Sequence, residues 1–184
     1  MTRHDIPNLL SIFRILLIIP IVWMLISQQY GYALSTFALA GFTDGLDGFL
    51  AKQYNWQSRL GTILDPIADK LLLVASFATL TWLGLIPLWL LLLVLMRDVF
   101  IVSGGLAYHY LIGQFELTPT WSSKINTVAQ ILLILLVILQ QYGMGKLQTI
   151  VTAGIWLVAA SVFISGTEYI LIWGARAWQQ NSKQ

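Results

Sequence analysis

Cysteine is absent from the chain, which excludes disulfides, thiolate metal sites and thiol nucleophiles. Charge is scarce: Asp, Glu, Lys and Arg make up 10% of the 184 residues, against 58% hydrophobic. A soluble domain of this size cannot cover so much apolar surface with so few polar groups. The net charge is only +2 and no run of Lys or Arg stands out, so nucleic acid is not an expected partner. Nor does the N-terminus read as a cleaved leader, because Arg14 interrupts the first apolar stretch and no small-residue cleavage site follows. No internal repeat, low-complexity segment or long linker divides the chain, so one domain over residues 1–184 is expected.

What is present is a series of apolar runs, each about 20 residues long, the length a helix needs to cross hydrocarbon. They predict an all-α integral membrane protein with six transmembrane helices in a bundle. The spans run from about Leu9 to Ser27, Tyr32 to Leu50, Leu60 to Leu83, Ile86 to Tyr108, Ser122 to Gln140 and Thr149 to Trp173. A polar stretch, Gln114 to Thr120, precedes the fifth. Arg3, Lys52, Arg59, Lys124, Arg176 and Lys183 fall at one set of span ends and only Lys146 at the other. The positive-inside bias therefore predicts both termini on the cytoplasmic side, with bare turns at Gln28 to Gly31 and Gly84 to Pro87 outside. Tyr30, Tyr32, Trp82, Trp89, Trp121 and Tyr142 lie near span ends, where aromatic rings serve as interfacial anchors or pack between helices.

Of the eight acidic residues, Asp44, Asp47, Asp65, Asp69 and Asp98 fall inside or at the mouths of predicted spans. A carboxylate at membrane depth costs roughly 2.5–3.5 kcal/mol even on insertion scales, which marks it as functional. Asp44 and Asp47 are three apart and Asp65 and Asp69 four apart, so each pair shares a helix face. A connection of about ten residues turns the second span back toward the third. Four facing carboxylates repel one another, and a bound cation relieves that repulsion. Hard oxygen ligands suit Mg²⁺, Mn²⁺ or Ca²⁺ rather than zinc. The structural alternative is ion pairing with Lys52, Arg59, Lys70 and Arg97. Gly45, Gly48 and Gly61 lie among the carboxylates, either for close helix packing or to let a flat base and a diphosphate approach the backbone.

The residues read Asp44-x-x-Asp47-Gly48-x-x-Ala51-Lys52, then eight positions, then Gly61-x-x-x-Asp65-x-x-x-Asp69. This resembles the signature of the CDP-alcohol phosphatidyltransferases, with every aspartate and glycine in register. Lys52 departs from it, because most members carry arginine there; the charge is kept and the bidentate fork lost. The opening Ile6-Pro7-Asn8-x-x-Ser11-x-x-Arg14 is also similar to the family. The resemblance implies a six-helix homodimer with a cytoplasmic active site; a bacterial inner membrane is the expected location because no targeting segment is read in the sequence. By that resemblance, Asp44, Asp47, Asp65 and Asp69 hold Mg²⁺ or Mn²⁺, and Asp69 is also the catalytic general base. Gly48, Ala51, Lys52, Ser58 and Gly61 stand where the family binds the CDP-lipid, CDP-diacylglycerol.

Two branches fit. The stretch Phe37 to Thr43, the Arg97-Asp98-Val99 run and the segment from Pro119 to Gln130 resemble the branch that uses phosphatidylglycerol as acceptor and makes cardiolipin. The branch that uses glycerol 3-phosphate shares the N-terminal motif and the signature but typically carries glutamate after that arginine. Asn8, Arg14, Arg97 and Lys124 are candidate acceptor contacts, since cations bind a phosphate-bearing acceptor by charge-assisted hydrogen bonds. For Arg97 the alternative is an ion pair with Asp98 or the aspartate cluster; for Lys124 it is a side chain snorkelling to the interface. His4, His109 and Glu168 have no assigned role. A cation transporter is the rival of another class, but both acidic pairs lie toward one face and no repeat is visible.

Overall fold

A computed structural model describes residues 6–54, 59–111, 120–143 and 147–181, with no strand among them. Six helices follow one another: α1 Ile6–Ile26, α2 Tyr30–Tyr54, α3 Arg59–Trp82, α4 Leu88–Leu111, α5 Trp121–Gln141 and α6 Gln148–Asn181. Each predicted span has its helix. The main differences lie at the ends. The second helix continues past Leu50 to Tyr54, so Ala51 and Lys52 are helical rather than part of the connection. Nothing in Ala51-Lys52-Gln53-Tyr54 breaks a helix, since it holds no proline or glycine. The sixth helix runs 34 residues, about 51 Å at the α-helical rise, because no proline follows the apolar run to stop it.

Three helices, Leu9–Ile26, Trp121–Gln141 and Gln148–Tyr169, are long and apolar enough to cross a bilayer among the described residues. α1 shows how the bilayer acts as solvent. Its sealed positions are Ser11, Arg14, Ile21 and Leu25, while Leu16, Ile19 and Trp23 are exposed, Ile19 by 71%. Polar groups are covered and large apolar ones face out, the arrangement expected when the surroundings are hydrocarbon. The chain is an integral membrane protein. Tyr32, Trp82, Trp121 and Tyr142 are all well exposed at helix ends, as interfacial anchors require.

The chain divides into two compact units, one of Met1–Ile86 with Ile134–Leu147 and the other of Pro87–Leu133 with Gln148–Gln184. In the first, α1 packs against both α2 and α3, with Ile21, Leu25, Phe37, Leu72, Phe77 and Leu80 sealed in its core. The turn from α1 to α2 is tight. Gln28 takes a left-handed φ of 57°, its N–H bonding to the Leu25 carbonyl and that of Gln29 to Met24. Gly84 ends α3 in the same way, with φ 72° and its N–H and that of Leu85 bonding to Thr81 and Leu80. Both are Schellman closures, in which a left-handed residue lets the last helical carbonyls find donors.

In the second unit α4 packs on α6, and Trp89 and Trp156 bring their rings to 5.5 Å at a 37° tilt. Thr120 caps α5: its hydroxyl accepts the Ser123 N–H at 3.3 Å and its carbonyl the Lys124 N–H. That side-chain acceptor satisfies a first-turn donor left open by the helix itself.

Candidate active site

The site is built on the first unit. Asp44 comes from α2, Asp65 and Asp69 from α3, and all three turn toward α1. There they meet Arg14, whose side chain is 0% exposed. Arg14 Nη1 lies 2.8 Å from Asp44 Oδ1 and also pairs with Asp69 Oδ1. Its Nη2 lies 3.8 Å from Asp65 Oδ1. One turn before Arg14 on the same helix, Ser11 donates to Asp65 Oδ1 at 2.6 Å. The four-residue spacing of Asp65 and Asp69 places both on the face toward α1, and the three-residue spacing of Ser11 and Arg14 supplies the matching pair of donors.

The electrostatics are lopsided. Arg14 is sealed, whereas the side chains of Asp44, Asp65 and Asp69 stay 46%, 37% and 41% exposed. The cation therefore lies on the closed side and the carboxylates on the open one. Among the described ion pairs, three carboxylates share one guanidinium. The partner the described ion pairs show for these aspartates is Arg14; the side chains of Lys52 and Arg59 lie outside the described residues. Arg14 was expected among the acceptor contacts, yet its described ion pairs are all with carboxylates.

The donor chemistry fits a hard divalent cation, because the described groups on its open side are carboxylates. Among the described residues no three Asp, Glu or His side chains are disposed to hold an ion; the carboxylates converge on Arg14 instead. The side chain of Asp47 lies outside the described residues, as do those of Asn8, Gly48, Ala51, Lys52 and Gly61 and the whole of Ser58 and His4. His109 lies in α4, its side chain likewise outside them. A cavity of about 590 Å³ also opens in the first unit. It is lined by residues such as Gln28, Tyr30, Gly31 and Tyr142 and has no charged side chain, so it offers nothing for diphosphate chemistry.

The remaining candidates belong to the second unit. Arg97 is buried and ion-paired with Asp98 at 2.8 Å, one of the two alternatives its sequence allowed. Its second terminal nitrogen donates to Ser123 at 2.7 Å and Ser165 at 2.5 Å. Lys124 is exposed, its Nζ 5.3 Å from the centre of the Trp121 ring, a cation–π distance. Glu168 accepts from Ser122. Two contributors went unassigned in the sequence. Ser11 sits inside the N-terminal motif, and its spacing from Arg14 is the signal. Ser165 lies in the last apolar run with no motif around it.

A family model described as CDP-alcohol phosphatidyltransferase matches residues 4–166. Human cardiolipin synthase (CMP-forming) is 38% identical over 145 residues, covering 70% of this chain and 48% of that protein. A chloroplastic CDP-diacylglycerol–glycerol-3-phosphate 3-phosphatidyltransferase from rice, Oryza sativa subsp. japonica, is 33% identical over 183 residues, 90% of this chain and 56% of its own. A probable phosphatidylglycerophosphate synthase of Mycobacterium tuberculosis is 29% identical over 180 residues, 91% and 82% respectively. The chain spans about half the length of the human and rice relatives. With the family model matching most of its length and the aspartate signature lying within that match, this chain belongs to the CDP-alcohol phosphatidyltransferase family.

Proposed function

We propose that this protein transfers the phosphatidyl group of CDP-diacylglycerol to the hydroxyl of a glycerol-type acceptor and releases CMP. The observation that carries this is the convergence of Asp44, Asp65 and Asp69, from two helices, on one side of a sealed guanidinium. Asp44, Asp47, Asp65 and Asp69 would hold Mg²⁺ or Mn²⁺, in a family that generally depends on a divalent metal. Bound there, the ion would neutralise diphosphate charge and polarise the reacting phosphorus. Gly48, Ala51, Lys52, Ser58 and Gly61 bind the cytidine and diphosphate of the lipid. Asp69, 41% exposed on the open side, takes the acceptor's hydroxyl proton. The freed oxygen attacks the phosphorus bonded to the diacylglycerol, the bond to CMP breaks, and CMP carries away the displaced electron pair.

Phosphatidylglycerol is the acceptor we favour, which gives cardiolipin. The name of the human relative and the Arg97-Asp98 and Ser122 to Gln130 segments support it. Glycerol 3-phosphate is the second reading, supported by the names of the rice and mycobacterial relatives. Asn8, Arg97 and Lys124 are the contacts proposed for the acceptor's phosphate. The whole chain acts as one catalytic domain of six membrane spans, a homodimer in a bacterial inner membrane with its termini and active site cytoplasmic. The test is a purified sample given radiolabelled CDP-diacylglycerol and each acceptor in turn. Labelled cardiolipin with phosphatidylglycerol supports the first reading. Labelled phosphatidylglycerophosphate alone moves the protein to the second.

A further inference from the structure

Arg14 is the largest fully sealed polar side chain among the described residues. A guanidinium so deep in an apolar helix is costly to desolvate and persists only with anionic partners. It has three, from two helices, although one would neutralise it. Removing Arg14 would take away the positive charge these three carboxylates share, and their mutual repulsion would rise. Ser11, one turn earlier on α1, fixes the carboxylate farthest from the guanidinium. The pair on α1 therefore does for the acidic groups what a bound cation does. It occupies the closed side and leaves the open side free.

We propose that Arg14 is a built-in counter-ion and positioning residue, holding Asp44, Asp65 and Asp69 together in the metal-free protein and setting how tightly a divalent cation binds. This rests on the reading that these carboxylates bind the cation. Two consequences have opposite signs. The guanidinium stabilises the metal-free fold, because it offsets the mutual repulsion of the carboxylates. It also weakens cation binding, because a fixed positive charge opposes an incoming one over a few ångströms. A residue that only packs, or only contacts the acceptor, gives the first effect or neither, and not the second.

The experiment compares wild type, Arg14→Met and Arg14→Lys in detergent, by thermal unfolding without metal and by calorimetric titration with Mn²⁺. Arg14→Met should unfold at a lower temperature without metal, and its Mn²⁺ dissociation constant should fall on the order of tenfold. Arg14→Lys keeps the charge and should bind Mn²⁺ like wild type. Adding Asp44→Asn to Arg14→Met removes one of the repelling charges and should raise the metal-free unfolding temperature again. An Arg14→Met affinity equal to or weaker than wild type overturns the proposal, as does a double variant less stable than the single one. If Arg14→Met yields no folded protein, recovery in the double variant supports the proposal and continued failure overturns it. A wild type that binds no Mn²⁺ removes the metal reading as well, a result distinct from unaltered affinity in the variant.

Discussion

Asp44 and Asp69 stand on different helices, yet both reach a single atom, the Nη1 nitrogen of Arg14. This joins α2 to α3 through a charge on α1, so the two carboxylates are held by the first helix of the chain. Two acids 25 residues apart in sequence become one electrostatic unit. Any change that weakens that unit should be felt in both metal binding and turnover.

Asp47→Ala and Asp65→Ala are each expected to abolish CMP release and to weaken Mn²⁺ binding together. Calorimetric titration of the purified variants checks the second effect independently of activity. Wild-type Mn²⁺ affinity in both would remove these residues from the ligand set.

Asp69→Asn keeps the shape of the side chain and one acceptor oxygen but cannot accept the acceptor's proton. General-base catalysis contributes roughly 10²–10⁴-fold, so CMP release should fall by that factor while CDP-diacylglycerol affinity changes far less. A variant that retains half the wild-type rate is incompatible with the base role.

Arg97 is held by Asp98, Ser123 and Ser165 within the second unit. Lysine keeps the charge but cannot serve three partners from two nitrogens. Arg97→Lys should raise KM for the phosphate-bearing acceptor by about tenfold and leave KM for CDP-diacylglycerol near wild type. An unchanged acceptor KM would restrict Arg97 to a structural role.

The two Schellman closures give a stability prediction of opposite sign. At Gly84 the φ of 72° suits glycine, so Gly84→Ala should cost about 1 kcal/mol. At Gln28 a side chain already occupies the left-handed region with φ 57°, so Gln28→Gly should be neutral or stabilise by up to about 1 kcal/mol. Thermal unfolding in detergent at fixed lipid content reads both.

Much of this arrangement was legible in the sequence because two periodicities coincide there. Apolar runs about 20 residues long can only be membrane helices or buried ones, and each has its helix. The spacings of Asp44 with Asp47 and Asp65 with Asp69 predict shared faces, and the second pair does share one toward α1. What spacing cannot supply is the partner across an interface. Arg14 lies 30 residues before Asp44, and nothing local distinguishes a buried counter-ion from an acceptor contact. The end of α2 lies beyond the apolar run because Lys52 and Gln53, though polar, do not stop a helix.

The central claim, phosphatidyl transfer at the aspartate cluster, is tested most directly by CMP release. Purified wild-type protein with Mg²⁺ or Mn²⁺, CDP-diacylglycerol and phosphatidylglycerol or glycerol 3-phosphate should release CMP in step with formation of a phosphatidyl product. Asp69→Asn should suppress both, and chelation of the metal should do the same. No CMP from wild type with either acceptor and either metal, in a sample shown to be folded, would contradict the account.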